Sequence, residues 1–408
     1  MNVVFVDTTI TTPPTGGAQT FLVNLCASLV EKDHRVSVVT EPGKDATIAT
    51  TLQRAGTDVL MNVWSRRHLP EERANCLAAW VNRERPDVYI ISISPDAGWL
   101  ALPLLEPSIA TLSIAHADVS AFYEPLKHYA PFIDCTVGVS EAIQRRIIGQ
   151  CSIPPARVHH VPYGVASLSS SEIAARRERQ FELDEPLRIV YLGRLVQHQK
   201  RVLDLVPLTV ELTRREIPFK LHLVGDGPER LPLESGFEKN GVTRNVRFWG
   251  WLTPEAVRQR LRELDALVLL SDSEGLPLAL LESMGHGVVP VVTNLKSGNT
   301  EVVNEGENGF LVGVGDICAF VDRFELLAGG RERLSLMRQA AWETSQYYSL
   351  ERMVQCYVQT FQQAAERTLG RKQRDGLTSQ YPVMPSCRSK YPFWLRKIKR
   401  RVLSIGSG

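Results

Sequence analysis

Two acidic residues eight positions apart, Glu274 and Glu282, lie in Ser273-Glu-Gly-Leu-Pro-Leu-Ala-Leu-Leu-Glu282, directly before the apolar run Val288-Val-Pro-Val-Val-Thr293. On one continuous helix, eight steps of roughly 100° leave the two carboxylates about 80° apart, on no shared face. Pro277 excludes that register. Lacking a backbone donor, proline suits a helix start, which puts Glu274 in a loop and Glu282 within the helix. Carboxylates accept hydrogen bonds from hydroxyls, so one can face a sugar and the other a ribose. Between them Gly275, Leu276, Pro277 and Leu278 form the mouth of the helix, where backbone amides and the dipole favour a phosphate. The competing reading is an ordinary amphipathic helix with solvated glutamates, and companion motifs decide between the two.

The strongest companion is Gly193-Arg194-Leu195 at the end of an apolar run, with Lys200 six residues after Arg194. A guanidinium takes phosphate oxygens in pairs and an ammonium adds a mobile point charge, the combination a departing diphosphate needs. Solvated loop cations are the alternative. Gly16-Gly17 closes the first loop, and Gly225-Asp-Gly227-Pro228 follows another strand. Glycine admits close approach of a phosphate or sugar to the backbone, but it serves a turn of positive φ equally well. His116 ends the run Leu112–Ala115. As a neutral imidazole it can hold a sugar hydroxyl, or it is a satisfied structural residue; Asp118, two residues on, can orient an acceptor.

These residues need elements to position them. Asn2–Val6, Arg35–Thr40, Val88–Ser92, Ile109–Ala115 and Cys135–Val139 read as strands, alternating with helical patterns at Ala18–Glu31, Glu71–Arg83 and Glu141–Gly149. Ser167–Glu185 has little apolar periodicity and reads as a surface connection between domains. A second series follows, with strands at Leu187–Leu192, Phe219–Val224, Val246–Trp249, Ala266–Leu270 and Val288–Thr293. The expected fold is α/β: two doubly wound, Rossmann-like domains at 1–166 and 186–345, joined by 167–185, with ligands in the cleft beyond the strands' carboxyl ends.

A chain of 408 residues exceeds one hydrophobic core, in agreement with two domains. Its seven scattered cysteines show no metal-ligand spacing and imply reduced thiols. The N-terminus lacks a basic signal-peptide region, and no apolar run reaches the about 18 residues needed to span a bilayer, so a cytoplasmic location is expected. Net charge is +2, yet from Arg371 onward ten Lys/Arg face one acidic residue, leaving residues 1–370 at −7. An acidic body argues against nucleic acid. In the tail, 370–408, Trp394, Ile398, Val402 and Ile405 recur at helical spacing among Arg396, Lys397, Lys399, Arg400 and Arg401. That pattern fits an interfacial helix on an anionic membrane surface, and also a solvated tail or a protein-docking helix.

Taken together, Gly16-Gly17, His116, Gly193-Arg-Leu, Lys200, Gly225-Asp-Gly-Pro and Glu-x7-Glu resemble the retaining GT-B glycosyltransferases of family four, over about residues 1–365. The resemblance implies that Gly16, Gly17 and Gly225 approach a nucleotide-sugar donor and that His116 contacts its sugar. It further implies that Arg194 and Lys200 hold the diphosphate, Glu274 the sugar hydroxyls and Glu282 the ribose. Backbone near Trp249, Gly250 and Leu252 would meet the base. Also implied are a glycan or lipid-linked acceptor, retention at the anomeric carbon, no metal or other cofactor, and a last helix (346–369) that packs back on the first domain. Two departures are Tyr163, where many relatives have asparagine, and the spacing of Gln197-His-Gln-Lys200, which leaves Arg201 as a rival to Lys200. Glu301 either closes the donor pocket or serves a helix N-terminus. Alternatives are a sugar-nucleotide epimerase of the same fold, a phosphorylase, for which no pyridoxal-phosphate lysine is marked, or a silent glycan-binding protein. A nicotinamide enzyme is excluded by the missing Gly-x-Gly-x-x-Gly after the first strand.

Overall fold

The computed structural model describes residues 1–10, 16–41, 43, 45–65, 67–94, 96–178 and 185–369; the basic tail lies outside them. Two parallel sheets organise the chain. The first contains β1 (Asn2–Asp7), β2 (Arg35–Val39), β3 (Asp58–Leu60), β4 (Val88–Ile93), β5 (Ala110–Ala115), β6 (Cys135–Gly138) and β7 (Val158–His160), in the order 3-2-1-4-5-6-7. The second contains β8 (Leu187–Leu192), β9 (Phe219–Val224), β10 (Val246–Gly250), β11 (Ala266–Leu269), β12 (Val289–Thr293) and β13 (Phe310–Val312), in the order 10-9-8-11-12-13. Central strands are near-continuous apolar runs because helices cover both faces; Val3, Val4, Phe5 and Val6 are all buried. The strand order reverses at β1 and at β8, so loops leaving these strands splay apart and open a crevice.

The connection at 167–185 departs from expectation. Ser170–Arg177 is a helix, begun by a capping box in which Ser169 Oγ accepts from Glu172 N–H (3.3 Å) and Glu172 accepts from Ser169 N–H (2.8 Å). Ile173 is its one buried apolar side chain, and Arg176 donates to the carbonyls of Leu261, Arg262 and Leu264. A helix held by one apolar residue and one buried guanidinium leaves no periodic signature. The edge strands β3 and β7 escape sequence reading because three residues are too few to show a strand's alternation.

The two cores meet. The cluster built on the first sheet continues into the second domain, through Leu276 of the Glu274 loop and Leu278, Leu281 and Met284 of the Leu278–Gly285 helix. The last helix, Leu350–Glu366, returns to the first domain, where Tyr357 lies 5.6 Å from Phe21 between ring centroids, and Arg367 donates to the Ala156 carbonyl at 2.8 Å.

Behind the second sheet, the fully buried Asp265 accepts from Arg188 Nε (2.9 Å) and backbone N–H (2.9 Å) and from Arg338 (2.8 Å). Burial pushes its carboxyl up, but the two guanidiniums outweigh that and hold it below its ordinary range. Asp265→Ala removes the buried carboxylate that both guanidiniums share, leaving Arg188 the longer pairing with Glu185 (3.8 Å), and is expected to cost about 3–5 kcal/mol, read as a lower urea midpoint. A variant as stable as the parent would show that this cluster does not anchor the Arg331–Ser345 helix.

Candidate active site

Two helices start against each other across the crevice. Gly17 opens the Gly17–Glu31 helix and Leu278 opens the Leu278–Gly285 helix; a Cβ placed on Gly17 would stand 3.0 Å from Leu278 Cβ. Their N-cap residues are Gly16 and Pro277, neither of which has a side-chain acceptor, whereas Ser140, Thr253, Asp316 and Ser349 cap other helices here. Two partially positive helix ends therefore lie side by side without a capping side chain, an arrangement that an anion stabilises.

Cationic side chains come from the loop after β8. Lys200 Nζ lies 2.5 Å from Glu274 Oε1, which also accepts from Ser271 Oγ at 2.6 Å. Arg194 donates to Gln199 Oε1 (3.0 Å), and Gln199 Nε2 donates to the Ser273 carbonyl (3.3 Å), so both cations are tied to the Glu274 loop. Arg201 turns away to Asp204 and Asp272. Sequence reasoning missed Ser271 and Gln199, since their importance is set by contacts between distant loops.

Glu274 lies in the loop and Glu282 in the helix, as Pro277 required. The Glu282 carboxylate makes no hydrogen bond or ion pair with the described residues, although the residue's carbonyl lies 2.8 Å from His286 Nδ1. Burial pushes its carboxyl up to about 7, opposed weakly by Arg258. A desolvated carboxylate without a protein donor is a costly thing to keep, and such groups cluster where a ligand supplies the missing hydrogen bonds.

His116 is buried, and burial lowers its pKa to about 3, which keeps the imidazole neutral. Both ring nitrogens are occupied: Nδ1 lies 2.9 Å from Tyr163 Oη and Nε2 lies 3.1 Å from Ser92 Oγ. Ser92 donates to Asp7 (2.8 Å), so the consistent assignment has Nε2–H donating to Ser92 and Tyr163 donating to Nδ1. Tyr163, the departure from asparagine, is thus what holds the ring. What His116 turns toward the second domain is its carbonyl oxygen, 2.5 Å from where a Cβ on Gly275 would be. Any side chain larger than glycine at 275 would separate the domains.

On the far wall, Gly225 has φ +131°, and a Cβ there would lie 1.9 Å from the Gly193 carbonyl, so these two loops pack backbone on backbone. Gly225 N–H donates to the Gly250 carbonyl at 2.8 Å. The Trp249 indole lies between the guanidiniums of Arg247 (3.8 Å) and Arg260 (3.7 Å) and donates to His222 (3.1 Å), which leaves its neighbours' backbone, not its ring, toward the Gly225 loop. Glu301 crosses the gap: its carboxylate accepts from Ala142 N–H (3.0 Å) at the start of the Glu141–Gln150 helix. It serves a helix N-terminus, but one in the other domain.

Two facing Rossmann-like domains with this crevice are the architecture of GT-B glycosyltransferases. Two family models match: Glycosyltransferase Family 4 over residues 15–167 and Glycosyl transferases group 1 over residues 173–343. The chain belongs to this glycosyltransferase family. It is 32% identical over 152 residues to a lipopolysaccharide 1,6-galactosyltransferase of Salmonella typhimurium, covering 36% of this chain and 42% of that protein. It is 25% identical to the Rhizobium meliloti lipopolysaccharide core biosynthesis glycosyltransferase LpsE, over 84% of this chain and 95% of that one. Among solved structures, Anabaena HepE with UDP and glucose superposes with a TM-score of 0.71 at 18% identity, over 89% of this chain and 99% of that one. The lipopolysaccharide outer core galactosyltransferase WaaB gives 0.67 at 20%, over 88% and 99%.

The raised pKa of Glu282 has a measurable sign. The fold favours the protonated carboxyl, so its contribution to stability is complete below the ordinary value of 4.5 and is lost as pH rises through about 7. Glu282→Gln, neutral throughout, is therefore expected to melt above the parent at pH 8 and close to it at pH 5. A melting difference that is the same at both pH values would contradict this burial.

Proposed function

We propose that this chain is a retaining hexosyltransferase that moves a sugar from a nucleoside diphosphate donor to a glycan or lipid-linked acceptor in lipopolysaccharide or surface-polysaccharide synthesis. The reading rests on the paired helix starts at Gly17 and Leu278 beside the Lys200–Glu274 ion pair. A donor diphosphate would sit against the two helix ends, with Arg194 and Lys200 compensating the charge that grows as the anomeric C–O bond breaks. Lys200 would be drawn from Glu274 toward the phosphate, freeing Glu274 to accept from sugar hydroxyls, and Glu282 would accept from the ribose. The acceptor oxygen would attack the face the diphosphate leaves, its proton passing to a departing phosphate oxygen. In this scheme protein cations do the work of a metal, and none is required. With both nitrogens of its neutral ring taken by Ser92 and Tyr163, His116 would meet the sugar through its backbone carbonyl and not through its ring. The names of the Salmonella and Rhizobium relatives support the pathway class, and the basic tail, outside the described residues, would hold the enzyme on the anionic inner face of a membrane.

The test begins with thermal shifts against UDP-, GDP- and ADP-sugars, followed by steady-state kinetics and NMR of the product anomer. Glu282→Ala is expected to raise the donor KM by about 10- to 100-fold, the loss of hydrogen bonds to a charged group. Glu274→Ala should lower kcat by about 10²- to 10³-fold. Activity should survive EDTA. Unchanged kinetics in both variants would refute the site, and an inverted product would refute retention alone.

A further inference from the structure

Beside the crevice lies an open hollow of ≈ 450 Å³ whose walls come from both domains: Asp118, Arg145, Arg146 and Gln150 on one side and Lys296 on the other. Arg146 is committed, its guanidinium 2.7 Å from Asp118, which also accepts from Tyr123 Oη at 2.6 Å. The side chains of Arg145 and Lys296 form no ion pair or hydrogen bond with any described residue. Glu141, one turn before Arg145, does not pair with it either.

The hollow adjoins the reacting centre. Asp118 follows His116 by two residues, and the His116 carbonyl abuts Gly275. Lys296 precedes Gly298 by two, and Gly298 N–H donates to the Gly275 carbonyl at 2.8 Å. A molecule in the hollow would thus lie beside the Glu274 loop. Arg145 and Lys296 both line this hollow, exposed and of like charge, and an anion bound between them would relieve their repulsion.

We propose that this hollow is the acceptor subsite and that the acceptor sugar carries an anionic group, a phosphate or a uronate carboxylate, held between Arg145 and Lys296. The inference rests on the glycosyltransferase reading and adds the chemical class of the second substrate. Arg146, fixed by Asp118 and stacked 5.7 Å from the Tyr123 ring, forms the floor rather than a ligand.

Calorimetry on the full chain tests it. The protein is first saturated with the nucleoside diphosphate that binds it among UDP, GDP and ADP, so that the donor phosphate site is filled. It is then titrated with glucose 6-phosphate, glucuronate and glucose. At least one anionic sugar is expected to bind, about tenfold or more tighter than glucose. The Arg145→Ser/Lys296→Ser double variant should lose that preference while keeping its nucleotide affinity and melting temperature. Binding of the phosphate sugar alone, or of the uronate alone, names the group. Equal binding of glucose, retention of the preference in the double variant, or no anionic-sugar binding by the nucleotide-loaded protein would overturn the inference. Failure of all three nucleotides to bind would instead count against the nucleoside-diphosphate donor of the proposed function, which keeps the two failures apart.

Discussion

The carboxyl ends of two parallel sheets touch at Gly275, where the His116 carbonyl takes the space a side chain would need. That contact sets how near the two domains come. Because it is backbone on backbone, it leaves room around it for the helix ends at Gly17 and Leu278 and for the hollow lined by Asp118 and Lys296. Glu301, reaching to Ala142, and the returning Leu350–Glu366 helix hold the same juxtaposition from further out. Closure of this kind excludes water and strengthens every charge inside the gap.

Within the gap the two glutamates are kept in opposite electrostatic states. Glu274 has its counter-charge in Lys200 and a hydroxyl donor in Ser271, so it is satisfied before any ligand arrives. Glu282 has neither, and burial drives its carboxyl toward neutrality. In the proposed reaction the first carboxylate would exchange its partner and the second would gain one. His116 is a third case, a neutral ring whose hydrogen bonds both run to buried partners, through Ser92 to Asp7 and to Tyr163. Such a ring orients a neighbour and does not move protons near neutral pH.

Most of the fold was legible because parallel strands covered on both faces are apolar runs whatever their neighbours. Leu187–Leu192 and Phe219–Val224 were readable to the residue. The Ser170–Arg177 helix was not, since a capping box and a buried arginine hold it rather than a stripe of apolar side chains. At the site, Pro277 alone placed Glu274 in a loop and Glu282 in a helix. The choice between Lys200 and Arg201 was invisible in the chain, because it depends on an αL turn at Arg201 (φ +50°) that sends the guanidinium to Asp204 and Asp272.

By itself, then, the order of residues determined the alternation of strands and helices, the positions of the glycine loops and the types of chemistry at each strand end. These are local properties, carried by periodicity, proline and glycine. Only the tertiary structure decided which loops face one another: Gln199 beneath Ser273, Tyr163 against His116, Lys296 across from Arg145. Those pairings join segments dozens to more than a hundred residues apart, and they follow from how the two sheets pack, which no local pattern encodes.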